Sequence, residues 1–579
     1  MATQVPASFT CANTSGDVEP NNPPCEKKAT SICVQCHLVQ YCSRACQKAH
    51  WALHKSDCKS PYMKPKWKPA WDTENRGPSF VEGGGGPAPN NGPNITVHGQ
   101  RKYLWGNVPA LDVLNLKDNE GVDTTRDFRL LFAASGDLRN AAKTVTGLPD
   151  SYAGQCELIL NDLDADIVVR NALFLLVALN FEPKDAAPMI LHLWYSVLIP
   201  SPMLKLLQEK IAPLIQDVCT KIKGKSEDCF QAKTWTHGTS SLRIVLKKSQ
   251  WQTLLRYLQV PEDLSADKAQ NLRRATSLAP ERTDYLHRGL FSLSPTRRVG
   301  MMKFRNDGIL LPFGASRKGF DTPNPTLFQS RKFWPMMDSA DPLGGWSIHD
   351  VLGKVPLAKN DLYGGLYFHV HDLLFRFCER IKCMKLAFVL FQVNALELVD
   401  TFKECGLLKQ GFDRVEVSNI SDGGFIGIAR VLIVLSPLLR LKPDNPHATL
   451  LTLFLNAVHE FQDEIPSPAR MKFELARVAQ YLPRPSAAEF MLMSNSAVMC
   501  DWMATRSFFL DFDGVFKRYM EELGFEKLAR ETGVCVKERH TLVEMWPFRL
   551  RDGAGKEEFE ILHSSSFTGC ERYVEWSRV

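Results

Sequence analysis

Asp127-Phe128-Arg129-Leu130-Leu131-Phe132-Ala133-Ala134 runs directly into Ser135-Gly136-Asp137-Leu138-Arg139-Asn140. The first block is a short apolar run with no polar alternation to mark a solvent side, which suits a strand buried on both faces. The second joins a glycine turn to helix-start residues, so a helix is expected through about Val145. After Gly154 the pattern repeats. Residues 156–161 predict a second strand, Asp162-Leu163-Asp164 ends it, and 166–180, with Ile167, Arg170, Asn171, Phe174 and Leu175, predict a second helix.

Strand, glycine turn, helix, strand, acid, helix is the order of a Rossmann-like half, and it places the chain in the α/β class. Downstream, 183–223 read as helical with breaks at Pro200 and Pro202, and 249–259 and 265–278 are amphipathic. Residues 295–360 are rich in Gly, Pro and Asn and predict loops. Alternation then returns, with a helix at 366–381, a strand at 385–392, a helix at 395–404 and strands at 412–420 and 448–455. The expected body is therefore a Rossmann-like α/β domain over 101–460, with a helical insertion at about 185–290. The remainder, 461–579, reads as an α-rich C-terminal region whose 559–563 and 571–576 segments suit strands.

Upstream of residue 101 the composition changes. Residues 59–100 hold seven prolines and the run Gly83-Gly84-Gly85-Gly86, which predicts a flexible linker. Before it stand Cys11, Cys25, Cys33-x2-Cys36, Cys42-x3-Cys46 and His54-x3-Cys58, eight metal-ligand side chains within 48 positions. Eight ligands fill two tetrahedral zinc shells of four. So short a segment has no core of its own, and coordination must supply its folding free energy, about 10–16 kcal/mol per structural zinc. His37 and His50 are left over and read as surface imidazoles.

The 579 residues carry a net charge of +6, with 44% hydrophobic and 23% charged residues. The length predicts roughly two to four domains, and the small charge argues against a dedicated nucleic-acid binder. Nine Lys or Arg against two acids between Cys25 and Lys68 make the finger region basic, but no aromatic-interleaved reading surface follows. Met1–Pro6 carries neither a basic nor an apolar leader region, and no run approaches the ~18 apolar residues of a membrane helix. Nine further cysteines, from Cys156 to Cys570, lie without paired spacing and read as thiols of a reducing compartment. The expected location is cytoplasmic or nuclear, without secretion and without membrane partners.

Tyr41 before Cys42, and Cys46-Gln47-x3-Trp51-x2-His54-Lys55-x2-Cys58, resemble the MYND zinc finger. The resemblance implies interleaved pairs in a cross-braced, two-zinc finger. One zinc takes Cys11, Cys25, Cys42 and Cys46, and the other Cys33, Cys36, His54 and Cys58. The first pair is thirteen residues apart where the family has two, so the 12–24 loop must fold back to deliver Cys11. A second resemblance rests on Trp105-Gly106-Asn107-x-Pro109-Ala110-Leu111-Asp112, Ser135 to Asn140 and Leu160-Asn161-Asp162. These are similar to the N-terminal domain shared by dynein axonemal assembly factor 3 and fungal MYND-finger proteins. The fungal proteins also carry blocks like Phe412 to Ile420 and Asn445 to Leu451.

For the α/β body, Gly136 and Asp162 stand where an S-adenosylmethionine-dependent methyltransferase places its cofactor turn and its ribose-binding acid, 26 residues apart. Yet the turn has one glycine, crowded by Asp137 and Arg139. His369-x-His371-Asp372 has the residue types of a metal site, but neighbours two apart on a helix diverge by about 200°. No Gly-x-Ser-x-Gly elbow and no P-loop occurs, and no SET-type Asn-His-Ser-Cys segment accompanies the finger. No catalytic or cofactor-binding residue is therefore assigned. The expected function is a zinc-binding protein-interaction module on an α/β scaffold, adaptor or assembly-factor-like, taking proline-containing peptide segments, as the MYND resemblance implies. The alternative is a methyltransferase.

Overall fold

The computed structural model describes residues 10–14, 24–82, 95–96, 99–100, 102–330, 332–355, 357–408, 411–461, 468–565 and 567–579. Its centre is a nine-stranded mixed sheet: β1 (Phe128–Phe132), β2 (Gln155–Asn161), β3 (Phe230–His237), β4 (Ser240–Lys247), β5 (Lys385–Phe391), β6 (Arg414–Glu416), β7 (Thr449–Phe454), β8 (Val534–Val536) and β9 (Arg572–Arg578). The order across the sheet is β8-β9-β7-β6-β1-β2-β5-β4-β3. From β7 to β4 all pairings are parallel, while β9 lies antiparallel between β7 and β8, and β3 is an antiparallel edge.

Successive strand residues point to opposite faces, and the apolar runs supply both. Leu130, Leu158, Phe388 and Leu242 stand in register on one face. They share a core with the helices Arg139–Gly147, Ala165–Asn180, Pro183–Tyr195 and Leu362–Cys383. Leu131, Ile159, Val389 and Val415 face the other way, into a core closed by Ile428–Leu435, Asp513–Glu522 and Phe525–Thr532. The result is a helix–sheet–helix sandwich, a mixed α/β fold with the finger at its N-terminal end.

Several expectations change. The hairpin β3–β4 lies inside the stretch expected to be a helical insertion, and turns at Gly238 with φ +56°. Leu242, Ile244 and Leu246 alternate inward on β4, but Arg243 and Lys247 break the apolar run that marks the other strands. Within the expected loops, Pro295–Asp307 is a helix, started by proline at its first position and stopped by Gly308 at φ +63°. Lys556–His563 is helical where 559–563 suited a strand, and only Arg414–Glu416 of 412–420 is a strand. The sheet also crosses residue 460: its strands β8 and β9 come from the region expected to be mainly helical.

The first part of the expected linker is packed. Short helices at Ala70–Thr73 and Ser79–Glu82 lie against Thr283–Phe291. Asp284 accepts from both Arg76 guanidinium nitrogens, at 2.6 and 2.9 Å, and from Ser79 N–H at 2.8 Å. Trp71 is fully buried, and Phe80 meets Tyr285 edge-on. The finger also touches the body directly, since Val299 and Phe313 join its small core. A Cβ on Gly314 would collide with Ala12, so the two backbones approach as closely as glycine allows. The Gly83 to Gly86 run lies outside the described residues.

Candidate metal centre

A two-residue ribbon, Ser31–Ile32 with Gln40–Tyr41, and one helix, Arg44–Cys58, frame the finger. Ser43 caps the helix by accepting from Cys46 N–H at 3.2 Å, which fixes Cys46 beside Cys42. His54 and Cys58 stand four residues apart and so share one helix face. Both ends of the 12–24 loop are tied: Cys11 N–H donates to Lys27 O at 2.9 Å, and Cys25 N–H to Asn13 O at 3.0 Å.

These elements gather the ligands into two groups, Cys11, Cys25, Cys42 and Cys46, and Cys33, Cys36, His54 and Cys58. Within each group the ligand atoms lie within 4.8 Å of one another. Cys42 Sγ is 3.6 Å from both Cys25 Sγ and Cys46 Sγ, Cys33 Sγ is 3.9 Å from Cys58 Sγ, and Cys36 Sγ is 3.4 Å from His54 Nε2. A tetrahedron with about 2.3 Å metal–sulfur bonds has edges of about 3.8 Å. The spacing fits a zinc ion and is far too long for a disulfide. The pairs interleave, first with third and second with fourth, so the protein carries two Cys/His zinc-binding clusters. Four protein ligands close each shell, which is structural rather than catalytic zinc chemistry.

Burial pushes the Cys11 thiol up to about 12 and the Cys58 thiol up to about 11. In the other pair Cys36 lowers Cys33 through a hydrogen bond, and that bond together with burial raises Cys36 itself. Zinc loading must therefore expel protons from Cys11, Cys36 and Cys58.

His50, read from sequence as a surface imidazole, is buried. Its Nδ1 pairs with Tyr41 Oη at 3.0 Å, its ring stacks on His54 with centroids 6.0 Å apart, and burial lowers it to about 4. The spacing of four from His54 was the available signal. His37 takes the left-handed turn position after Cys36, at φ +53°.

The other candidate positions do not assemble a comparable centre. In an open α/β sheet, ligands bind where strand order reverses, which here is between the carboxyl ends of β1 and β6. Gly136 is there at φ +55°, with nothing within 4 Å of where its Cβ would stand. The chain's own groups hold the turn: Asp162 accepts from Gly136 N–H and Asp164 N–H, each at 2.9 Å, and Asn171 donates to Gly136 O at 2.7 Å. Asp137 accepts from Gly106 N–H at 2.8 Å and from Arg139 Nε at 2.5 Å, while Arg139 donates to Val108 O. Glu416 ends β6, buried, with Oε2 unpartnered, a feature the sequence pattern did not reveal. His369 packs edge-on against Trp346 and His371 stacks on Tyr367, so the two imidazoles diverge, while Asp372 pairs with Lys354 at 2.7 Å and lies 3.8 Å from His371 Nδ1.

Residues 22–58 match the MYND finger family, and residues 104–199 match a family described as a domain of unknown function (DUF4470). Both domains are present in this chain. The SET domain and MYND-type zinc finger protein 6 of Schizosaccharomyces pombe is 49% identical over 35 residues, 6% of this chain and 7% of that protein. The match thus spans a small fraction of either protein. No solved structure matches the chain. Among the described residues no helix is long and apolar enough to cross a membrane.

Proposed function

We propose that this chain is an intracellular adaptor of cytoplasmic or nuclear location. Its MYND finger, folded on two zinc ions held by Cys11, Cys25, Cys42, Cys46, Cys33, Cys36, His54 and Cys58, docks proline-containing peptide segments of partner proteins. The observation that carries the reading is the pair of complete ligand sets in a finger that leaves Val34, Trp51 and Leu53 exposed. Exposed apolar side chains on a metal-stiffened frame suit an extended peptide better than a phosphate backbone. The resemblance of the region from about 101 to 180 to the N-terminal domain of the dynein axonemal assembly factor 3 family supports a role in protein maturation rather than catalysis. The finger, 11–58, and the α/β body work as binding head and scaffold.

The test is fluorescence anisotropy of the full chain against a proline-containing peptide library and a random DNA duplex, at low and moderate salt. Peptide binding that survives salt and is lost in Trp51→Ala supports the reading. Duplex binding that falls by ~10³ or more over the same salt range, with no peptide hit, overturns it.

One observation favours a second reading, that the body is a methyltransferase-like, Rossmann-like sheet. β1 is central, strands wind outward from it in both directions, and the last strand inserts antiparallel between β7 and β8. Such a sheet binds S-adenosylmethionine over the turn after β1. Here Asp162 is spent on Gly136 N–H and Asp164 N–H, so we expect no binding. Calorimetry with S-adenosylmethionine decides it, since micromolar binding abolished by Asp162→Ala would make the enzyme reading the leading one.

A further inference from the structure

The helices Pro468–Val478, Ala487–Leu492 and Ala497–Thr505 enclose an apolar groove of about 370 Å³, lined by Leu475, Pro485, Phe490, Met491, Met499 and Trp502. Phe490 is 53% exposed and Met491 82%, and Leu492, Met493 and Met503 are exposed in the same short stretch. A run of large apolar side chains facing solvent is costly for a soluble chain and marks an interaction surface. Five of the chain's 16 methionines fall between Met471 and Met503. Unbranched, polarizable methionine adapts to the side chains of a docking helix.

The charge around the groove selects the occupant. Lys472, one turn from Leu475, and Arg484, next to Pro485, have no ion-pair partner among the described residues. Lys68, on the segment that follows the finger, is paired with Asp72 at 2.8 Å and is not one of the free cations. Glu489, on the groove helix, is engaged in a capping box and accepts from Ser486 N–H at 2.7 Å. Two further carboxylates stand on the groove helices and both are engaged: Glu474 is buried and accepts from Arg470 and Arg506, and Asp501 pairs with His563 at 2.9 Å. The groove is therefore apolar inside with free cations at its rim.

We propose that this groove docks an amphipathic helix of a partner protein, one whose apolar stripe is flanked by acidic residues. The walls are three helices joined by the non-helical segment 479–486, and among the described residues from 468 to 505 there is no strand, so an extended peptide finds no open strand edge to pair with and the mode is helix-in-groove. The site is separate from the finger, takes a different ligand, and stands or falls apart from the finger reading.

The experiment measures anisotropy of a fluorescein-labelled amphipathic peptide against the full zinc-loaded chain. The probe has Leu and Phe at helical spacing and Glu on the flanks; a Lys-flanked version and a scrambled acidic version are the controls. The acidic probe is expected to bind at micromolar level, at least about tenfold tighter than either control. Met491→Glu lies on the surface and leaves the thermal transition unchanged, yet should weaken binding about tenfold or more. Lys472→Glu with Arg484→Glu should reverse the preference toward the Lys-flanked probe. Cys42→Ser, which damages the finger, should leave Glu-flanked binding in place. Equal binding of all three peptides, or indifference to Met491→Glu, overturns the proposal. So does sedimentation showing a dimer that Met491→Glu dissociates, because the occupant would then be a second copy of the chain.

Discussion

Glu416 stands at the end of β6 with one oxygen accepting from Ser418 N–H at 2.7 Å and the other unpartnered. Burial raises its carboxyl from the ordinary 4.5 to about 7, with Arg139 lowering it and Asp162 raising it by lesser amounts. The folded state therefore keeps a proton that the unfolded chain has lost between those two values. The stability this group contributes is present below pH 4.5 and is lost as pH rises through about 7. A shift of that size corresponds to about 3 kcal/mol. Glu416→Gln cannot ionise, so it should match the wild type near pH 4.5 and exceed it by about 3 kcal/mol above pH 7, measured as the difference between their urea unfolding curves. Cys42→Ser gives a second residue-scale outcome: elemental analysis should find one zinc fewer per chain, because Cys42 belongs to one cluster only. The ligands were legible because metal spacing is local in sequence. Glu416 was not, because its burial depends on strands and loops supplied by distant residues such as Arg139 and Tyr573.

Among the elements, the segment after the finger shows how composition misleads. Prolines and the tetraglycine averaged over 59–100 predicted a linker, yet Trp67, Trp71 and Phe80 all stand ahead of the tetraglycine. Two of them find partners on the body, and the third packs on one of these: Trp67 meets His287 edge-on with Arg298 stacked on it, Phe80 packs on Tyr285, and Trp71 is buried edge-on against Phe80. Aromatics that large offset the ordering cost that proline-rich sequence otherwise leaves unmet. Asp284 is the clamp, since it binds Arg76 and Ser79 together and is held below the usual carboxylate range chiefly by the Arg76 hydrogen bond. Asp284→Ala should free residues 76–82, seen as new proteolytic cleavage there, and cost about 1–3 kcal/mol for the buried charged hydrogen bonds. The strands β1, β2, β5 and β7 were readable because both faces are buried and the runs are continuous. The edge strand β3 is half solvated and polar, so nothing local distinguished it from a helix surface or a loop.

At the scale of the molecule the question is whether the finger folds on its own or as part of the body. The linker reading implied independence, in which a broken zinc site would leave everything after Arg101 unaffected. The packing implies coupling. Val299 and Phe313 sit in the finger's core, Lys303 faces Asp57 at 3.8 Å, and Arg298 donates to Lys64 O at 3.3 Å. All four belong to the Pro295–Asp307 helix or the loop just beyond it, and that helix in turn packs on Leu362–Cys383 under the sheet. Zinc binding supplies about 10–16 kcal/mol per ion to order the finger. When the metal is removed, the finger's face of this interface is lost, and Val299 and Phe313 are left against water. Each large apolar side chain so exposed costs about 1.5–3 kcal/mol. Chelation should therefore speed amide exchange in Pro295–Asp307 and lower the thermal transition of the body, while β3–β4 at the far edge of the sheet keeps its protection. Unchanged exchange in that helix after full removal of both ions would show that the finger is a separate unit that merely rests on the body.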